Sequence, residues 1–129
     1  MADHAKKRIL VVDDANLVRR YYRDALEAAG FEVEEALNGL EALEKISLTA
    51  VDVLVVDVNM PQMDGLTFIE AVRRLELPVA STPVVITTTE SKPRDLAAGQ
   101  AAGANFYLVK PVAAERLASC VAMLCGVAT

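Results

Sequence analysis

A single α/β domain, with a doubly wound, five-stranded parallel sheet and five helices, is predicted by three features of this sequence. Short apolar runs of strand length alternate with amphipathic stretches of helical period along the whole chain. The strongest runs are continuous rather than alternating, as strands buried on both faces are. Polar residues gather where the runs stop: Asp13 and Asp14, Asp57, the threonines 87–89, and Lys110 with Pro111. In open α/β sheets ligands bind beyond the carboxyl ends of the strands, which is where these residues fall.

The elements follow in order. Ile9, Leu10, Val11 and Val12 form a buried strand. Residues 16–29 form a helix with Val18, Tyr22, Ala25, Leu26 and Ala29 on its apolar face and Arg19, Arg20, Arg23 and Glu27 mostly elsewhere, closed by Gly30. Residues 31–36 alternate partly and read as a strand at or near an edge. Residues 39–46 form a short helix with Leu40, Leu43 and Ile46 inward, and residues 51–56 are the most strand-like run. A polar loop with Pro61 and the turn pair Asp64-Gly65 leads to a helix over 66–75, with Leu66, Phe68, Ile69 and Val72 toward the core. Residues 83–88 are a β-branched strand, and 93–102 an alanine-rich helix with Pro93 in its first turn and Gly103 at its end. Residues 106–109 give the fifth strand and 113–125 the last helix, with Leu117, Val121 and Leu124 on one face. Alternation of this kind implies right-handed crossovers and helices on both faces of the sheet.

The chain has 129 residues, 53% hydrophobic and 24% charged, the composition of one folded domain. Residues 1–7 read as an N-terminal tail, with His4 inert, and 8–127 as the domain. A net charge of −5 offers no basic footprint for nucleic acid or anionic lipid. No apolar run approaches the ~20 residues of a membrane span, and no secretion signal is expected. Cys120 and Cys125 have neither redox nor zinc spacing and read as free thiols, which suits the cytoplasm.

The strand ends carry the chemistry. Asp13, Asp14 and Asp57 brought to one sheet edge would repel each other by about 3 kcal/mol per pair at ~5 Å and an effective dielectric near 20. A dication and the ammonium of Lys110 would offset that repulsion. Oxygen ligands with retained waters suit Mg²⁺.

Four motifs, in this order and spacing, resemble those of bacterial two-component receiver domains. They are Val11-Val12-Asp13-Asp14, Asp57-x-Asn59-Met60-Pro61-x-Met63-Asp64-Gly65, Thr88-x-Glu90, and Tyr107-x-x-Lys110-Pro111. The resemblance implies a flavodoxin-like, CheY-like fold with strand order 2-1-3-4-5; that order comes from the family and not from the residue pattern. It implies that Asp57 is the phosphorylation site and nucleophile, and that Lys110 and Thr88 contact the phosphoryl group. Asp14 and Asp57 would ligate Mg²⁺ through side chains, Asn59 through its backbone carbonyl, and Asp13 through metal-bound water. Thr88 and Tyr107 would form the switch, and the peptide bond to Pro111 would be cis. Asn59, Thr89 and Glu90 would tune rates. Thr89 departs from the small residue usual there.

The resemblance further implies a domain that catalyses its own phosphorylation and dephosphorylation and has no dedicated enzyme output; the small-residue faces of the last two helices, with few of the charged pairs that receiver dimers use, favour a monomer. Its donor would be a sensor histidine kinase or histidine phosphotransfer domain. With no output domain after Thr129, it would act on a partner protein, with neither nucleic acid nor membrane involved. Asn59 and Glu90 point toward chemotaxis and the flagellar motor switch. Ala114, Ala118 and Ala122 offer a small-residue face on the last helix for docking. The alternatives are a phosphorelay carrier, a single-domain receiver outside chemotaxis, and an aspartyl-phosphate hydrolase of the haloacid dehalogenase type. The last lacks its second acid, because Asn59 stands two residues after Asp57. A flavin binder is disfavoured by carboxylates that would repel the cofactor phosphate.

Overall fold

The computed structural model describes residues 6–60 and 63–126, so the expectations for His4, Pro61 and Val127 lie outside the described residues. Strands β1 (Arg8–Val12), β2 (Glu32–Ala36), β3 (Val53–Asp57), β4 (Val84–Thr88) and β5 (Phe106–Val109) alternate with helices α1 (Asn16–Ala28), α2 (Gly39–Leu48), α3 (Gly65–Arg73), α4 (Pro93–Ala102) and α5 (Ala114–Cys125). All four strand pairings are parallel, in the order β2-β1-β3-β4-β5. The partly alternating β2 is an edge strand, as its pattern predicts. The order reverses between β1 and β3, which opens a crevice at their carboxyl ends.

Side chains alternate across a strand, so the pairing register assigns each residue to a layer. Ile9, Val11, Val53, Val55, Val85 and Leu108 pack with Tyr22, Leu26, Leu117 and Val121 of α1 and α5. Leu10, Val12, Leu54, Val56, Val84 and Ile86 face the other way, toward Ala42, Ile46, Phe68, Ile69, Val72 and Ala102. Full burial of a side chain such as Phe68 or Ile69 contributes about 2 kcal/mol relative to exposure.

Several side chains lie where their local pattern did not place them. Leu40 is 51% exposed, because α2 turns Gly39, Ala42 and Ile46 inward instead. Ala29 is exposed at the end of α1, whereas Arg19 is buried in the stripe of Tyr22 and Leu26. Ala122 is buried in the core and Ala114 and Ala118 are half-buried, so the alanine row of α5 is not an open docking strip. Glu115, Arg116, Ser119 and Met123 form the exposed side of that helix. A 3-10 turn at Val79–Ser81, preceded by a cis peptide at Leu77-Pro78, lies between α3 and β4, where the hydrophobic pattern marks no element.

Arg73, at the end of α3, gathers the far side of the sheet. Its Nε and Nη2 donate to the Gly103 carbonyl at 3.0 and 2.7 Å, and Nη1 donates to the carbonyls of Ala80 and Thr82 at 2.9 and 2.7 Å. Nη2 also reaches Asn105 Oδ1 at 3.0 Å, and the same oxygen accepts from the Val84 amide at 2.8 Å. Gly103 adopts φ +114° and leaves no room for a Cβ, which would meet Arg73 Cγ at 2.8 Å.

Candidate functional site

The crevice is built from the ends of β1, β3 and β5. Asp13 continues the alternation of Ile9 and Val11 and so lies on the α1 side, 1% exposed. Each of its polar groups is held. Its amide donates to the Ala36 carbonyl at 3.1 Å, and Oδ1 accepts from the Ala15 amide at 2.8 Å. Oδ2 accepts from Lys110 Nζ at 3.2 Å, and its carbonyl accepts from Arg19 Nη1 at 2.7 Å. Asp14 is exposed and does not cap the helix; the N-cap is Ala15, which makes no side-chain bond.

Asp57 is the last residue of β3, 5% exposed, and pairs in register with Thr87. Lys110 Nζ lies 3.3 Å from Asp57 Oδ1, so one ammonium bridges Asp13 and Asp57. The Lys110-Pro111 peptide is cis, as expected. One carboxylate oxygen from each of Asp13, Asp14 and Asp57 falls within 4.8 Å of the others.

Charge in this pocket is unbalanced toward the acids. Burial, and next the Asp13 carboxylate, raise the Asp57 pKa despite Lys110. Burial opposes the Lys110 ammonium, but Asp13 and Asp57 together outweigh it and its pKa also rises. The two directions agree physically: one ammonium shared between acids is firmly held, while Asp57 stays under-compensated. A purely oxygen donor set, clustered this closely and short of positive charge, fits a hard divalent cation.

Thr87 and Thr88 diverge. Thr87, opposite Asp57, has an enclosed Oγ1 with no hydrogen-bond partner among the described residues. Thr88 is fully buried and continues the alternation of Val84 and Ile86, and its Oγ1 accepts from the Glu90 amide at 3.1 Å. The Tyr107 hydroxyl donates to the Glu90 carbonyl at 3.1 Å, so Thr88 and Tyr107 meet on the same short loop. The Tyr107 ring lies against Gly99, where a Cβ would stand 3.2 Å from it. Burial is the main cause of its raised hydroxyl pKa. Asn59, Thr89 and Glu90 are exposed. Thr89 and Lys110 also line a groove of about 440 Å³ with Leu17, Tyr21, Tyr22 and Pro111.

Sequence reasoning passed over Arg19, Tyr22 and Gly65. Arg19 lies three residues before Tyr22 and seven before Leu26, so helical spacing alone could have flagged it. Tyr22 is buried beside the site, its hydroxyl pKa raised mainly by burial and opposed by Lys110. The pair Asp64-Gly65 signals a turn, but the lack of a Gly65 side chain also admits the Asp57 backbone.

Comparison with known proteins agrees with this arrangement. The family described as response regulator receiver domain matches residues 9–122. The chain is 42% identical over 118 residues to the transcriptional regulatory protein PrrA of Mycobacterium leprae (strain TN), covering 91% of this chain and 49% of that protein. It is 44% identical over 110 residues to the response regulator MprA of Mycobacterium ulcerans (strain Agy99), covering 85% and 46%. It thus spans about half the length of these curated relatives. Among solved structures, the chemotaxis protein CheY4 of Vibrio cholerae superposes with a TM-score of 0.87 at 39% identity, over 93% of this chain and 99% of that one. A putative response regulator from Chloroflexus aurantiacus J-10-fl gives 0.88 at 33%, over 95% and 99%. From its motifs, its strand order and these matches, the chain belongs to the receiver-domain family of two-component response regulators.

Proposed function

We propose that this domain is a phosphorylation-driven signalling switch with Asp57 as its phosphoacceptor. The observation that carries the reading is the Lys110 ammonium, 3.3 Å from Asp57 Oδ1, beside an acid cluster within 4.8 Å. An Asp57 oxygen attacks the phosphorus of a phosphohistidine on a sensor kinase or histidine phosphotransfer domain. The phosphorus–nitrogen bond breaks, its electron pair returns to the imidazole, and an acyl phosphate forms. Water later attacks the phosphorus and releases inorganic phosphate. Lys110 neutralises a phosphoryl oxygen in both steps, so the catalysis is positioning and electrostatics. Asp13, Asp14 and Asp57 with the Asn59 carbonyl would hold Mg²⁺, which when bound supplies further positive charge to the phosphoryl oxygens.

The new phosphoryl oxygens offer Thr88 an acceptor that competes with its present bond to the Glu90 amide. Tyr107, tied to the Glu90 carbonyl, then responds through the same loop. Asn59, Thr89 and Glu90 tune access to Asp57.

For the output, likeness to CheY4 over 99% of that chain supports a chemotaxis regulator acting on a motor-switch protein. Relatives of twice the length that include a transcriptional regulatory protein support a second reading, in which the output is transcription. Two free thiols suit a reducing compartment such as the cytoplasm, and among the described residues no helix is long and apolar enough to cross a membrane. Acetyl phosphate should label the wild type and leave Asp57→Asn unlabelled; labelling of that variant would refute the assignment of the nucleophile. Phosphorylation-dependent binding to a motor-switch protein, set against binding to promoter DNA by the protein at its native length, separates the two outputs.

A further inference from the structure

One tether on Asp13 comes from outside the charged pocket. Arg19 is 6% exposed and spends its guanidinium on three acceptors. These are the Asp13 carbonyl at 2.7 Å, Asn16 Oδ1 at 2.6 Å and Glu35 Oε1 at 2.9 Å. Glu35 is itself fixed: its other carboxylate oxygen accepts from Arg23 Nη1 at 2.6 Å, and its carbonyl accepts from Lys45 Nζ. Arg23 is paired in turn with Glu27 at 3.1 Å. A chain of charged groups therefore runs from the outer face of α1 and β2 to the main chain of the acid pocket.

The choice of acceptor matters. Only Asp13, Asp14 and Ala15 join β1 to α1, and the mutual repulsion of the acids pushes this segment apart. Asp14 is exposed and has room to swing away. A guanidinium bonded to the Asp13 carbonyl resists that movement without occupying a carboxylate oxygen. Restraint of the ligand-bearing backbone lowers the ordering cost of closing a chelate.

We propose that Arg19, held by Glu35, is a positioning residue that fixes the Asp13–Asp14 segment and so sets the affinity of the pocket for a divalent cation. The proposal rests on reading the pocket as a cation site. Positioning and simple electrostatics predict opposite signs for one variant. Removing the Arg19 charge electrostatically should tighten a nearby cation site, whereas losing the restraint should loosen it.

Mg²⁺ binding by calorimetry on the folded full chain, paired with urea unfolding in EDTA, tests this. Arg19→Met should weaken Mg²⁺ binding about tenfold, in the range of outer-shell substitutions. Arg19→Lys, which keeps the charge and loses the three-way fork, should weaken it less. Glu35→Gln should weaken binding by a smaller factor, and Glu27→Gln should leave it unchanged. Unchanged or tighter binding by Arg19→Met, with only a lower unfolding midpoint, would overturn the proposal. If Arg19→Met does not fold, Glu35→Gln decides, and unchanged affinity there overturns it equally. Asp14→Asn distinguishes the layers: if it too binds Mg²⁺ normally, the pocket reading itself fails, whereas its weakening alone rejects only the role of Arg19.

Discussion

Gly65 and Asp57 approach so closely that a Cβ on Gly65 would stand 2.4 Å from the Asp57 carbonyl oxygen and 2.8 Å from the Val58 Cα. The Gly65 amide closes the same contact by donating to the Val58 carbonyl at 2.9 Å. The first turn of α3 is thus seated against the backbone that carries Asp57. Gly65→Ala must displace main chain rather than a yielding side-chain tip. It should cost about 1–3 kcal/mol of stability and slow labelling by acetyl phosphate. Urea midpoints and labelling rates on the same preparation check both, and a neutral result would show that the turn relaxes freely.

Replacing Asp57 should stabilise the metal-free protein. Its pKa is raised by burial and by Asp13, so in the folded state it resists ionisation more than in the unfolded state. The unfolded chain therefore binds fewer protons between the ordinary carboxylate pKa and the raised one, and stability falls as pH rises through that window. Asp57→Asn removes the charge and should raise the melting temperature at neutral pH in EDTA. Saturating Mg²⁺ should shrink the advantage. A lower melting temperature in EDTA would mean that the bond to Lys110 outweighs the desolvation.

Glu35 has the opposite sign. Its hydrogen bond to Arg23, and secondarily that to Arg19, hold its pKa below the ordinary value against the effect of burial. Its stabilising contribution is complete above the unfolded carboxylate pKa of about 4.3 and is lost as pH falls toward the lower folded value. Glu35→Gln should flatten the acid limb of the stability profile. An unchanged slope between about pH 5 and 3 would assign that limb to other carboxylates.

Thr89 is exposed and lines a groove together with Lys110, whose ammonium lies 3.3 Å from Asp57. Thr89→Ala should speed phosphorylation by small donors several-fold and shorten the phosphorylated lifetime, with stability nearly unchanged. Stopped-flow measurement with acetyl phosphate at fixed Mg²⁺ decides; a slower variant would show the hydroxyl assisting transfer.

The two thiols should react unequally. Burial pushes Cys120 up to about 11, and Cys125, also raised, is only half-buried. A disulfide reagent near neutral pH should modify Cys125 well before Cys120. Equal rates would indicate that α5 opens readily.

The strand ends were legible because doubly buried strands leave uninterrupted apolar runs, and a polar residue breaking such a run is conspicuous. Asp13, Asp57 and Lys110 were found in this way, and the structure joins them through one ammonium. Residues whose role depends on non-local partners were not legible. Spacing puts Arg19 in the stripe of Tyr22 and Leu26, but its partner appears only when β2 supplies Glu35, and Leu40 looks buried until the helix phase is set by Ala42 and Ile46. The alanine row of α5 held no information on which neighbour would cover it; α1 and the sheet bury Ala122. The spacing to Glu90 and Lys110 singled out Thr88, but that Thr87 lies opposite Asp57 emerges only from the pairing register.

The Arg73 clamp gives helix α4 a fixed end. It grips Gly103 and, through Asn105, the start of β4, at the sheet edge remote from Asp57. At the other end Lys92 provides no side-chain cap, and only Gly99 and Ala102 of the helix are buried. A rearrangement begun at the loop of Thr88 and Glu90 therefore meets α4 at its Pro93 end, the end that the Arg73 clamp does not hold.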